Sequence, residues 1–155
     1  MAQKYEIDTL DYRILTILQE DARRPFLEIA RKCSVSGGTI HQRVEKLKEM
    51  GILKGSKALI DYKKLGHKVT VLLGIHLQSA KDVSKVIKKL EKLPEVVEVH
   101  YTTGNYALFT KIVVMNIDHF HKFLVSKLQV ISEVESTESF ICLDTPIDRE
   151  LQLRP

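Results

Sequence analysis

The chain has 155 residues, 44 % of them hydrophobic, and carries 24 Lys and Arg against 20 Asp and Glu, a net charge of +4. That is enough apolar material for one domain of average size or two small ones, and no apolar run approaches the roughly 18 residues of a membrane span. The start "MAQKYEIDTLDY" lacks the basic-then-apolar layout of a signal peptide, so a cytoplasmic protein with no membrane partner is expected. Cys33 and Cys142 lie outside any CxxC or Cys/His spacing, which argues against a disulfide framework or a zinc knuckle, and both read as reduced, buried small side chains.

The charge is unevenly placed. Residues 1–65 hold 13 Lys and Arg against nine Asp and Glu, whereas residues 66–155 hold 11 of each. Between Arg31 and Lys57 seven basic residues face only Glu45 and Glu49, a local patch of the kind a polyanion footprint needs and a solvated lysine-rich helix also shows.

In chain order, Leu10, Ile14, Ile17 and Leu18 share one stripe of a first helix, with Asp8 as its cap and Asp11 in its first turn. Pro25 suits the first position of a short second helix whose apolar residues are Phe26, Ile29, Ala30 and Cys33. The three residues "SVS" follow, and Ser36 caps a third helix with Ile40, Val44 and Leu47 inward and Gly51 at its end. So short a joint between two helices forces a steep crossing, which is a helix-turn-helix. The outward arc of the third helix then carries Gly38, His41, Gln42, Glu45, Lys46 and Glu49, with Thr39 and Arg43 on its flank. Alone this is an ordinary amphipathic helix. With the three-helix context, the tight turn and the local charge it reads as a surface for double-stranded DNA, where Gln42, Arg43 and Thr39 can reach base edges, Gln42 toward adenine and Arg43 toward guanine or phosphate, with Lys46 adding to binding of any sequence. Gly37 and Gly38 follow the cap and let the helix N-terminus approach a phosphate closely. "ILKGSKALIDY" reads as a strand-like wing presenting Lys54 and Lys57 to phosphates.

From about residue 67 the apolar period changes from helical to alternating. "VTVLLGIHL" puts Val69, Val71, Leu73, Ile75 and Leu77 on one face of a strand. A helix follows with Val83, Val86, Ile87 and Leu90 inward and Lys85, Lys88, Lys89 and Lys92 outward. Two strands around "GN", a helix with Ile117, Phe120, Leu124 and Leu128 on one face, and a last strand near Glu133 to Leu143 complete the order βαββαβ. The expected class is α+β: a winged helix-turn-helix over residues 1–55, a hinge strand or linker over 56–66, and a ferredoxin-like domain over 67–155. Both helices of that domain lie on one face of a four-stranded antiparallel sheet. The other face, with Leu72, His76 and His100, has no cover in the chain, so a dimer through the sheet is expected, against a monomer whose sheet face tolerates water.

The motifs "LDYRILTILQEDAR", "SVSGGTIHQRVEKLKEMGILKG", "IDYKKLG", "YTTGNYALF" and "ESTESF", in this order, resemble the Lrp/AsnC family of bacterial and archaeal transcription regulators, with its asparagine-responsive branch the most similar. The resemblance implies a DNA-binding regulator with a winged helix-turn-helix, a hinge strand, and a ferredoxin-like effector domain that dimerises and assembles to tetramers or octamers. A small amino acid, asparagine for that branch, would bind between dimers and alter assembly or DNA affinity, with no other cofactor. The effector residues it implies are Tyr101, Thr102, Thr103, Gly104, Asn105, Tyr106 and Ala107 with Ser136, Thr137 and Glu138. Ala107 stands where many relatives carry an acidic residue after the tyrosine. The chemistry fits in kind: backbone N–H groups near Gly104 suit a carboxylate, and the Thr, Ser and Glu side chains suit an ammonium and an amide. The alternative is that "TTGN" is only a hairpin turn in which Gly and Asn supply unusual φ angles.

Catalytic and metal signals are weak. His119 and His121 point about 200° apart on a helix and cannot share a metal, and neither a G-x-S-x-G elbow nor a nucleotide-binding glycine loop is present. No catalytic residue is assigned. Some siroheme decarboxylase subunits share the two-domain outline, with His76 or His100 as pocket residues, and an amino-acid sensor without DNA binding is a third class. Neither uses the Gln42, Arg43 and Lys46 surface.

Overall fold

The computed structural model describes residues 6–154 and divides into two compact units, Met1–Leu59 with Ile147–Pro155, and Ile60–Pro146. The tail from Ile147 thus groups with the first unit, where the sequence reading ran the second domain through to residue 155.

The first unit is built on α1 (Thr9–Glu20), α2 (Phe26–Cys33) and α3 (Gly37–Glu49). Asp8 and Asp11 form a reciprocal capping box, each carboxylate accepting the other's backbone N–H at 3.1 Å. Pro25 stands at the N-cap of α2, one position before the first turn where the sequence placed it. At the other end of α2, Ser34 adopts φ 58° and ψ 42°, and the N–H groups of Ser34 and Val35 reach back to Arg31 and Ala30. This left-handed closure turns the chain within three residues into the Ser36 cap of α3. Helix α3 ends in the same way: Gly51 at φ +70° donates to Lys48 and Ile52 donates to Leu47, satisfying the last carbonyls. Ile14, Ile29, Ile40 and Leu47 are fully excluded from solvent and meet Ala30, Cys33 and Val44 in one core.

The expected wing is corrected. Residues 54–60 form no strand, Gly55 has φ +139°, and Leu59 is 93 % exposed. Alternating apolar residues suit a strand, but a strand also needs a neighbour for its N–H and C=O groups, and this segment finds none among the described residues.

The second unit is a four-stranded antiparallel sheet of β1 (Val69–Leu77), β2 (Val96–Tyr101), β3 (Leu108–Val114) and β4 (Val134–Ile141), in the order β2-β3-β1-β4, with α4 (Val83–Leu90) and α5 (Ile117–Phe123). Val71, Leu73, Ile75, Leu108 and Ile112 point to the helix side and are fully buried against Val86, Leu90, Phe123 and Leu128. On α5 the stripe differs from expectation: Ile117 is 51 % exposed and Phe123 takes the core place. A wider π turn over Leu124–Leu128 follows α5 and resets the phase of its apolar residues. Cys33 is buried as expected, whereas Cys142, just beyond β4, is half-buried, and both are free thiols.

The two βαβ halves repeat one device. Leu93-Pro94-Glu95-Val96 and Ile131-Ser132-Glu133-Val134 each lead from a helix into a strand, and each strand bulges by one residue directly afterwards. Each glutamate is buried and reaches across to the other half: Glu133 pairs with Lys85 and Lys89 of α4, and Glu95 pairs with His119 of α5 and Lys127 of its π turn.

Candidate functional site

In α3 the structure separates residues that the sequence had grouped. Ser36 is spent on the cap, its oxygen accepting the Thr39 N–H at 3.1 Å and meeting the Thr39 hydroxyl at 2.9 Å. His41 and Gln42 are exposed one turn into the helix, and the His41 ring lies 6.0 Å from that of Phe26. Lys46 is within 3.3 Å of Glu49, and Lys48 within 2.8 Å of Glu45, surface pairs that a phosphate can displace at small cost. The glycines also differ from each other. A Cβ on Gly37 would lie 3.1 Å from Cδ2 of the exposed Leu27 side chain, while the space around Gly38 holds only Ser36 Oγ at 3.8 Å. Close approach to a phosphate is therefore open at Gly38. Lys54 and Lys57 are exposed on the segment that forms no strand.

Arg43 is a correction. Its guanidinium is 2.7 Å from Asp8 and 3.1 Å from Asp11, a side chain with no exposed area, and it holds the Asp8 carboxyl below its ordinary range. A buried carboxylate demands a cation, and Arg43 on the flank of the helix supplies it. The arginine braces α1 against α3, with 28 % of its side chain still exposed. Of the other α3 residues assigned to DNA, Gly38, His41 and Gln42 are exposed and Lys46 is partly exposed.

The effector residues are also sorted by the structure. The loop 102–107 joins β2 to β3, tied across its base by the Thr102 N–H to the Ala107 carbonyl at 3.1 Å and by the Thr102 hydroxyl to the Tyr106 carbonyl. Gly104 and Asn105 both have ordinary negative-side φ angles, so the tight-hairpin explanation of this glycine does not hold. Thr103, Gly104 and Asn105 are exposed, Ala107 is half-buried, and Tyr101 projects at the sheet edge, 68 % exposed. Strand alternation divides the β4 residues: Ser136 and Glu138 sit opposite His76 and Gly74 on the open face, whereas Thr137 sits opposite Ile75 on the helix face. The sequence reading grouped all three, and Thr137 is set apart from the other two by the pleat.

On the open face Tyr106 folds back over the sheet. Its hydroxyl donates to Glu138 Oε2, and its ring lies 5.0 Å from His76 and 5.8 Å from Phe109, which continues to Phe140 at 6.3 Å. The carboxylate beside it raises the Tyr106 phenol above its ordinary value, since ionisation would lose the hydrogen bond and set two anions together. Sequence reasoning missed Gly74, Phe109 and Phe140 here; a glycine inside an apolar strand was the available signal for close approach of another group. His100 lies at 3.3 Å from Glu98, which Lys111 also approaches at 3.2 Å. Burial pushes the Glu98 carboxyl up, but Lys111 and His100 outweigh it and the net direction is down. An open groove along α1, lined by Tyr12, Arg13, Thr16, Lys32 and Leu153, coincides with neither set of residues. Among the described residues no helix is long and apolar enough to cross a membrane, and no cluster of three His, Cys, Asp or Glu could hold a metal.

Comparison with known proteins agrees with this two-part layout. Residues 7–48 match the AsnC-type helix-turn-helix domain and residues 69–152 the Lrp/AsnC ligand binding domain. The chain is 50 % identical over 148 residues to the regulatory protein AsnC of Haemophilus influenzae, covering 96 % of this chain and 99 % of that one. It is 36 % identical over 139 residues to the HTH-type transcriptional regulator Ptr1 of Methanocaldococcus jannaschii, with 90 % and 93 % covered. The solved structure of Escherichia coli AsnC superposes with a TM-score of 0.92 at 44 % identity, over 96 % of this chain and 100 % of the other. A helix-turn-helix joined to a ligand-binding sheet domain is thus the family's own plan, and the chain belongs to the Lrp/AsnC family of DNA-binding transcriptional regulators.

Proposed function

We propose that this regulator reads double-stranded DNA through Gly38, His41, Gln42 and Lys46 of α3, assisted by Lys54 and Lys57, and that asparagine sets its assembly or DNA affinity. The effector site is the loop 102–107 with Ser136 and Glu138. The observation that carries the reading is the contact of Tyr106 with Glu138, which brings the loop and the open-face side of β4 together around one carboxylate. A carboxylate suits the ligand ammonium, the exposed N–H groups near Gly104 suit its carboxylate, and Thr102, Thr103 and Ser136 suit a side-chain amide. Homodimers pairing through the open sheet face and assembling to tetramers or octamers would set recognition helices about 34–36 Å apart, or a multiple of that, along one face of DNA. Asparagine then acts by binding one assembly more tightly than another.

A thermal-shift panel of the twenty amino acids tests the effector. Ligand at about 100 times its dissociation constant should stabilise the chain by about 2.7 kcal/mol, with asparagine leading. A flat panel overturns the effector and leaves the DNA surface standing. For that surface, Gln42→Ala should change the preferred site in a selection from random duplexes, and an unchanged preference overturns the assignment of Gln42 to base contact.

A further inference from the structure

The register of the open face sets four residues in one row across the strands: His100 opposite Phe109, Phe109 opposite Gly74, and Gly74 opposite Glu138. Three positions carry large side chains and the third carries none, which leaves a slot one side chain wide between Phe109 and Glu138. Tyr106 fills it. A Cβ built on Gly74 would lie 2.5, 2.6 and 2.7 Å from three atoms of the Tyr106 ring, distances that no real contact tolerates. Gly74 has no left-handed backbone, so glycine is present here for room and not for φ. Glycine inside a strand weakens it relative to alanine, and here the freed space receives an aromatic ring. That ring is supported below by Gly74, flanked by His76 and Phe109, and held at its far end by Glu138.

We infer that Gly74 is a positioning residue for the effector loop: it seats the Tyr106 ring so that the phenol holds the Glu138 carboxylate, and an incoming ammonium group must displace that phenol. This rests on the effector reading of loop 102–107. It makes the loop and β4 a single latch, closed in the ligand-free chain, and closure lowers the apparent affinity in proportion to the fraction of molecules that are open. A neutral phenol on a carboxylate is weaker than an ammonium on the same carboxylate, so the ligand wins the exchange and the loop is released from the strand.

The test uses the full chain with Tyr106→Phe, Gly74→Ala and Glu138→Gln, each checked for native far-ultraviolet circular dichroism. Alkaline difference absorbance between the parent and Tyr106→Phe isolates the Tyr106 phenol among five tyrosines. That phenol should titrate above ordinary tyrosine in the parent. It should return toward the ordinary range when Tyr106→Phe is used as the blank for Gly74→Ala or Glu138→Gln. In asparagine calorimetry, Tyr106→Phe should bind about tenfold more tightly than the parent, because the closed population is removed, and Glu138→Gln should bind more weakly. An unshifted phenol in the parent, or one unmoved by Gly74→Ala, overturns the seat, and should that variant not fold, Glu138→Gln decides in its place. Equal asparagine affinity in the parent and Tyr106→Phe overturns the competition. Failure of asparagine to bind any form overturns the effector reading, while the phenol titration still decides the seat.

Discussion

The strands of the second unit have two faces that are finished in different ways. On the helix side Val71, Leu73, Ile75, Leu108 and Ile112 are wholly buried by α4, α5 and the turn after it, and the chain itself supplies every partner. On the other side Leu72, His76, Phe109 and Phe140 are only partly covered, and a loop residue, Tyr106, bends back to fill a gap left by Gly74. Helix α3 shows the same division. Ile40, Val44 and Leu47 close the core and Arg43 neutralises a buried aspartate, while His41 and Gln42 remain exposed. What a face lacks within the chain is what it leaves open to something outside it, which on the proposed reading is a second copy and a ligand for the sheet and DNA for the helix.

Truncations at matched places should separate the two kinds of face. Leu73→Ala removes a fully buried side chain and should cost about 2–5 kcal/mol in urea unfolding. Arg43→Ala removes the guanidinium that joins Asp8 to the buried Asp11 and should cost about 1.5–3 kcal/mol, the range for hydrogen bonds to charged groups. Phe109→Ala, on the open face, should cost about 1 kcal/mol, the size of its ring contacts. It should weaken self-association, read by analytical ultracentrifugation, more than it weakens the fold. Lys46→Ala should leave stability within about 0.5 kcal/mol and lower the salt dependence of DNA binding. If Phe109→Ala destabilises as much as Leu73→Ala, the open face is part of the core and the distinction fails.

The helix side was legible because its rule is local. Apolar residues at helical or alternating spacing found their core in nearly every element, and the caps at Asp8 and Ser36 and the closure at Gly51 follow from side-chain chemistry next to a helix end. The misreadings arise where a residue's partner is distant in sequence. Arg43 looked like a DNA contact because its partners, Asp8 and Asp11, stand some 30 residues away. Thr137 was grouped with Ser136 and Glu138 because they are neighbours in sequence, whereas the pleat sends neighbours to opposite faces. Gly74 was read as one more position in a central strand, since the ring that needs its space belongs to Tyr106, across the sheet. Ser34, in the left-handed region without being glycine, marks the helix-turn-helix joint by geometry that its side chain does not announce.

The gentlest test of the comparison is pH, because Glu133 at the closed face and Tyr106 on the open face are ionisable links shifted in opposite senses. At the rim of the closed face Lys85 and Lys89 hold the buried Glu133 carboxyl down to about 2 from an ordinary 4.5. A depressed carboxyl stabilises fully above its unfolded value, and this contribution is lost as pH falls from about 4.5 toward 2. Glu133→Gln should therefore unfold at lower urea than the parent above pH 5, with the gap narrowing through that acid window. Glu95, the twin on the other half, is pushed up by burial but carried below its ordinary range by Lys127 and His119, so Glu95→Gln should act in the same direction. The Tyr106 link on the open face works the other way. The Tyr106 phenol is raised above 10.0, so its link to Glu138 is intact below that pH and is lost as pH climbs through the folded value. Glu133→Gln should thus flatten only the acid limb of the stability profile and Tyr106→Phe only the alkaline limb, and a variant that alters both limbs would show that the two faces are not independent.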